Sequence, residues 1–190
     1  MDDCTNDITQ LVNLQGLANS EAAAELLPVI YDELRRIAGS YLRDRPPGHT
    51  LQPTALVHEA YVRLANNEKL RVTDRDHFFA IAAKSMRHVL ADHARAKGRQ
   101  KRGGGQDRVT LSGLASDFGE ADFDAADIDA ALHELAELND RHATIVELRF
   151  FAGFTIEQVA TYLNVSKRTV DDDWSFARAW LRKRLALDAA

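Results

Sequence analysis

The chain has 190 residues, with 24 Lys and Arg against 29 Asp and Glu, and a formal net charge of −5. A length of this order holds one ordinary domain or two small ones, and 45% hydrophobic with 28% charged residues is too apolar for a chain disordered throughout. No apolar run nears the roughly 20 residues of a membrane-spanning helix. The acidic start MDDCTNDITQ is unlike a secretory signal, and the single Cys4 has no internal disulfide partner, which points to a reducing cytoplasm.

In chain order, residues 1–20 read as an extension without strong pattern. Glu21 to Leu42 is amphipathic, with Leu26, Leu27, Ile30, Leu34, Ile37 and Tyr41 at steps of three and four, and Arg45-Pro46-Pro47-Gly48 ends it. A second helix starts at Pro53, runs through Leu56, Val57, Ala60, Tyr61 and Leu64, and stops at Asn66-Asn67. The polar stretch from Asn66 to Arg75 is a loop, and Asp74 caps a third helix carrying Phe78, Phe79, Ile81, Ala82, Met86, Val89 and Leu90. Both phenylalanines read as core. Gly103-Gly104-Gly105 breaks this helix, and residues 103–126 form a flexible acidic linker. Asp127 to Leu138 is again helical, Asn139 caps a helix from Asp140 to Phe151, and Gly153 suits a left-handed helix end. No strand alternation stands out, so the fold class is all-α, with two small helical domains over residues 21–102 and 127–187.

The net charge hides a segregated pattern. From Lys84 to Arg108 there are eight bases and two acids, whereas Ser112 to Asp140 has nine acids and no base. The basic stretch suits phosphate, since local clusters rather than chain totals set such binding. Complementary charge also lets the acidic stretch cover the basic helix while the chain is idle.

The sharpest pattern is FTIEQVATYLNVSKRTVDDDWSFARAWLRKRL, from Phe154 to Leu185. Thr155 and Gln158 make a capping box for a helix to Leu163. Ala160 is small where helices cross, and Asn164 tolerates a positive φ. Ser166 caps a last helix with Val170, Trp174, Ala177 and Leu181 on its apolar face. This is the spacing of a DNA-binding helix-turn-helix, whose second helix enters the major groove by its N-terminal residues. Arg168 suits guanine edges or phosphate, Lys167 suits phosphate, and Asp172 or Asp173 suits a cytosine amino group.

With these residues in place, the chain resembles extracytoplasmic-function (ECF) sigma factors of the sigma-70 class. LVHEAYVRL (Leu56 to Leu64) is similar to the helix that docks on the RNA polymerase clamp. HFFAIAAKSMRHVLADHARAKGRQKRGG (His77 to Gly104) is similar to the helix that reads and melts the promoter −10 element, and VSKRTVDDDWSFARAWLRKRL to the −35 recognition helix. The resemblance implies an alternative sigma factor with core RNA polymerase and promoter DNA as partners, no cofactor or metal, and a cytoplasmic location. It implies clamp contacts by Thr54, Leu56, Val57, Glu59, Ala60 and Arg63. It assigns the −10 element to Asn66, Asn67, Lys69, Arg71, Arg75, Lys84, Arg87, His88 and Arg95, with the loop from Asn66 to Arg75 capturing a flipped base. The −35 element falls to Ser166, Lys167, Arg168, Thr169, Asp172, Asp173 and Arg178, and the linker enters the polymerase channel.

One departure from the family pattern is informative. ECF factors carry an acidic run just before the Leu-Val pair of the clamp-binding helix, whereas this chain has Gln52, Pro53, Thr54 and Ala55 there, with only Glu59 downstream. A phosphate on Thr54 would supply about −1.5 to −2 charge at a helix N-terminus. The sequence therefore points to a Ser/Thr protein kinase as a further partner, acting on Thr54, with Thr50 as fallback.

Two other classes compete. His58-Glu59 begins like a zinc-protease HExxH, but Val62 stands where the second histidine belongs, so the chain reads as no enzyme. His88 and His93, five apart, do not share a helix face and read as part of the basic surface. The second competitor is a helix-turn-helix repressor or activator acting without polymerase, which would need neither the clamp-like helix nor the basic third helix.

Overall fold

The computed structural model describes residues 20–42, 51–67, 70–100 and 124–188, and among them the fold is all-α, with seven helices and no strand. The N-terminal extension up to residue 19, the proline break, Lys69 and the linker as far as residue 123 lie outside the described residues. In chain order the helices are α1 (Ser20–Tyr41), α2 (Pro53–Ala65), α3 (Arg75–Gln100), α4 (Ala125–Leu138), α5 (Asp140–Val146), α6 (Ile156–Leu163) and α7 (Lys167–Asp188).

Local chemistry sets most helix ends. The Asp74 carboxylate accepts the His77 N–H at 2.8 Å and starts α3. Asp124 accepts the Ala126 N–H at 2.8 Å, so α4 begins at Ala125, two residues before the expected Asp127. Asn139 caps α5 through the Arg141 N–H at 3.0 Å. The expected helix from Asp140 to Phe151 is α-helical only to Val146 and then widens into a π-helical turn over Glu147–Phe151, where the Ala152 N–H bonds the Glu147 carbonyl. Gly153, at φ +72°, ends it. The Thr155–Gln158 capping box opens α6 with bonds of 3.2 and 2.9 Å. Asn164 turns the chain at φ 52°, and Ser166 accepts the Thr169 N–H at 3.1 Å at the start of α7.

The apolar faces close into one continuous core. Ile30, Leu34, Ile37 and Tyr41 of α1, Leu56, Val57, Ala60 and Leu64 of α2, and Phe78, Phe79, Met86 and Leu90 of α3 are buried together. Leu132, Leu135, Ile145, Phe151, Val170, Trp174 and Leu181 extend it through the C-terminal helices. The two halves meet where α3 packs against α4 and the π turn. There the buried Tyr41 hydroxyl donates to the Phe151 carbonyl, and the two rings pack edge-on at 5.5 Å. Burial pushes the Tyr41 phenol well above its usual pKa, so it stays a donor.

The Asn164 turn is the most sequence-dependent step in this fold, because a left-handed residue with a Cβ is strained by about 1–2 kcal/mol. Asn164→Val should lower stability by about that much while Asn164→Gly stays within about 0.5 kcal/mol of the parent; urea midpoints measure both.

Candidate functional site

The basic face of α3 meets carboxylates of the C-terminal half. Arg87, only 3% exposed, donates from Nη1 to Asp129 Oδ1 and from Nη2 to Glu147 Oε1 at 2.7 Å. Arg95 donates from Nη2 to the other oxygen of Asp129 at 2.5 Å, and Lys84 lies 3.7 Å from Glu147. The hydrogen bond to Asp129 raises the Arg95 pKa further. Asp129 is itself 2% exposed, so the pair is buried on both sides. Removing one partner of such a pair strands a charge, at about 3–5 kcal/mol. The Arg87 Nε is buried without a hydrogen-bond partner.

Beside this cluster lies a cavity of about 120 Å³, lined by Lys84, Arg87, His88, His133, Thr144 and Glu147 among others. His88 faces His133 across it, the rings 6.3 Å apart. Desolvation, then the charge of Arg87, lowers the His88 pKa from 6.5 to about 4. His88 and His93 thus do not share the basic surface expected of them. His93 turns instead to Glu59 on α2, within 3.0 Å of both carboxylate oxygens.

On α2, Leu56, Val57 and Ala60 are buried in the chain's own core, so they shape the helix rather than offer it a surface. Thr54 is half-buried in a first turn that has no acid and no side-chain cap from Gln52. Glu59 and Arg63 are exposed, and Arg63 pairs with Asp92 of α3 at 2.7 Å. Burial pushes the Asp92 carboxyl up, but the hydrogen bond and charge of Arg63 prevail and hold it below its usual range. Val62, 56% exposed on the same helix, was not among the residues expected at this surface; its signal was a large aliphatic residue interrupting the polar side of α2.

In the loop, Asn66 and Asn67 are exposed at the C-terminal end of α2, and Arg71 donates to the Leu70 carbonyl at 2.9 Å. Arg75 is paired with Glu33 of α1 and lies 4.8 Å over the Phe79 ring. Phe78 and Phe79 are in the core, as the sequence predicts.

At the α6–α7 turn, Ser166 and Thr169 form the cap, Lys167 pairs with Glu157 at 2.8 Å, and Arg168 is 92% exposed. Asp172 is exposed 3.9 Å from Arg168. Asp173 instead turns inward to Arg141 Nε at 2.7 Å and His142 Nε2 at 3.2 Å, so its carboxylate is engaged by α5. Arg178 is half-buried further along α7. The sequence pattern groups Asp173 with the residues expected to face DNA because it does not show how α5 packs against α7. The residues missed altogether are Asp129 and Glu147, which meet the −10 set without belonging to it.

Among the described residues, no group of three or more His, Cys, Asp or Glu is placed to hold a metal, and no helix is long and apolar enough to cross a membrane. The described residues thus form an all-α chain with a basic third helix and a closing helix pair turned by a left-handed asparagine. The family model for ECF sigma factor matches residues 5–187, and the chain belongs to that family. It is an alternative RNA polymerase sigma factor, with core RNA polymerase and promoter DNA as partners, and not an enzyme. A comparison with curated proteins found no match.

Asp173 and Asp172 should separate in their effect on stability. Asp173→Ala leaves the largely buried His142 without its acceptor and should lower stability by about 1–2 kcal/mol, whereas Asp172→Ala, on an exposed pair, should change it by less than about 0.5 kcal/mol; urea midpoints compare the two. The histidines predict a pH response. His88 is held neutral between Lys84 and Arg87 on its own helix and His133, Asp129 and Glu147 opposite, and regains its ordinary pKa of 6.5 when released. Packing of the halves is therefore full above pH 6.5 and weakens as the pH falls from 6.5 toward 4. At about pH 5.5 the loss should reach up to about 1 kcal/mol after allowance for solvent screening. A melting temperature that drops more for the parent than for His88→Gln between about pH 7.5 and 5.5 measures it.

Proposed function

We propose that this sigma factor docks fully on polymerase only after phosphorylation of Thr54 by a Ser/Thr protein kinase. The observation that carries the reading is the bare N-terminus of α2: Pro53 at its first position, no acid in its first turn and no side-chain cap. The first N–H groups and the positive end of the helix dipole are thus left without an anion. A phosphate on Thr54 adds about −1.5 to −2 charge and three acceptor oxygens at that point. It replaces the acidic run that ECF factors carry there and pairs with cationic groups of the polymerase clamp. The contact surface of α2 is then Thr54, His58, Glu59, Val62 and Arg63, on the side away from the buried Leu56, Val57 and Ala60.

In the same reading, residues 21–102 are the clamp- and −10-binding domain, residues 103–126 are a linker entering the polymerase channel, and residues 127–187 are a DNA-binding helix-turn-helix. The loop from Asn66 to Arg75 takes the flipped base of the −10 element. Lys84, Arg87, His88 and Arg95 follow its strand, and Arg168 with Lys167 and Asp172 meets the −35 element. Phosphate contacts of this kind position the chain, and the base-edge contacts of Arg168 select sequence.

Thr54→Ala should abolish transcription from the cognate promoter in cells without lowering protein level, and purified chain should pull down core polymerase only after kinase treatment. Thr54→Glu should recover part of that binding, because a carboxylate supplies less charge than phosphate. Full activity of Thr54→Ala would exclude the switch and leave membership of the family untouched.

A further inference from the structure

We propose that Asp129 is an internal competitor for promoter DNA, held on the DNA-facing arginines of α3 until the two halves of the chain separate. This inference rests on the reading of α3 as the −10 helix. One carboxylate serves two guanidiniums: Asp129 Oδ1 accepts from Arg87 and Oδ2 from Arg95. Glu147 adds a second acceptor for Arg87 and a charge partner for Lys84. His88 is turned to His133. Of the four groups expected to meet the −10 strand on this helix, Arg87 is covered by the C-terminal half and His88 partly so, while Arg95 and Lys84 stay about half exposed with their charged ends on its carboxylates. Carboxylates occupy the positions of phosphates, since a planar guanidinium takes either group through the same paired N–H donors.

The burial of Asp129 supports a competitor over an incidental pair. An acid 2% exposed inside a helix is retained only when its charge is matched, and here both matching cations come from the other half of the chain. The seam also has the composition of an interface that opens. It is rich in ionic groups, it encloses a cavity of about 120 Å³, and the Arg87 Nε within it lacks a partner. DNA supplies the acceptors that Asp129 and Glu147 give up, so opening exchanges one set of charge-assisted bonds for another.

The test uses the full chain without polymerase and a labelled single-stranded DNA of mixed sequence. Asp129→Asn removes the charge and keeps the shape. It should raise DNA affinity about ten-fold, as expected when a binding-competent state goes from about a tenth of the population to most of it. The radius of gyration from solution scattering should increase, with helical circular dichroism retained. Adding Arg87→Ala and Arg95→Ala to Asp129→Asn should return the affinity to the parent level. Should Asp129→Asn lose its helical signal, Glu147→Gln, at a more accessible position, should give about a three-fold gain by the same population shift. An unchanged affinity or an unchanged radius in the folded variant overturns the proposal, as does a gain that survives loss of both arginines. Promoter opening by holoenzyme carrying Arg87→Ala and Arg95→Ala separates the two levels. Unimpaired opening overturns the −10 reading of α3 and the competition with it, whereas lost opening beside an unchanged Asp129→Asn affinity overturns the competition alone.

Discussion

The constraint on which the arrangement of this chain depends is the burial of a guanidinium. Arg87 lies on a helix otherwise packed through Phe78, Phe79, Met86 and Leu90, and a charge at 3% exposure needs acceptors in place of the water it has lost. Asp129 and Glu147 supply them from two different elements of the C-terminal half, α4 and the π turn. The orientation of both elements against α3 is thereby fixed by one side chain. The Tyr41 hydroxyl on the Phe151 carbonyl adds a second directed bond, and the surrounding apolar contacts add area without such direction. Hydrophobic burial brings the halves together; the ionic cluster selects the register.

The same cluster connects three helices. Arg63 on α2 holds Asp92 on α3, Asp92 lies 3.4 Å from Arg95, and Arg95 holds Asp129 on α4. Charges alternate along this row from α2 to the C-terminal half. A partner that draws Arg63 away leaves Asp92 to Arg95 alone, and so weakens the claim of Asp129 on the same guanidinium. This row places α2, α3 and α4 in one electrostatic network.

What was legible in the sequence was local. Asp74, Asn139, Thr155, Gln158 and Ser166 act within a few residues of themselves, and their caps formed as their spacing implied. Gly153 and Asn164 were readable for the same reason, since a left-handed backbone narrows the choice of residue. The apolar steps of α1, α2, α3 and α7 were equally plain, and they placed Phe78 and Phe79 in the core. The segregation of charge indicated that a basic helix and an acidic segment could meet. It did not say which carboxylate would be buried, because Asp129 is one of nine acids in a run and its partner Arg87 is 42 residues away. The contacts of Asp173 were hidden on similar grounds: three consecutive aspartates look alike in sequence, and only the packing of α5 distinguishes the one that faces Arg141 and His142. The missing acids before Leu56 were the reverse case, a local absence that α2 carries as an uncapped first turn.

The widened turn at Glu147–Phe151 adds a rotational property to the seam. A π-helical turn holds one residue more than an α-helical one, and a residue corresponds to about 100° about the helix axis. Glu147 sits at the first position of that turn, where the two registers diverge. Tightening the segment by one residue would swing the chain on its C-terminal side relative to α5 without breaking the helix, so Phe151 would turn away from Tyr41 while Glu147 kept its register with α5. The wide turn thus sets the phase of Phe151 and the chain after it against α5, a screw thread with one turn cut wider than the rest.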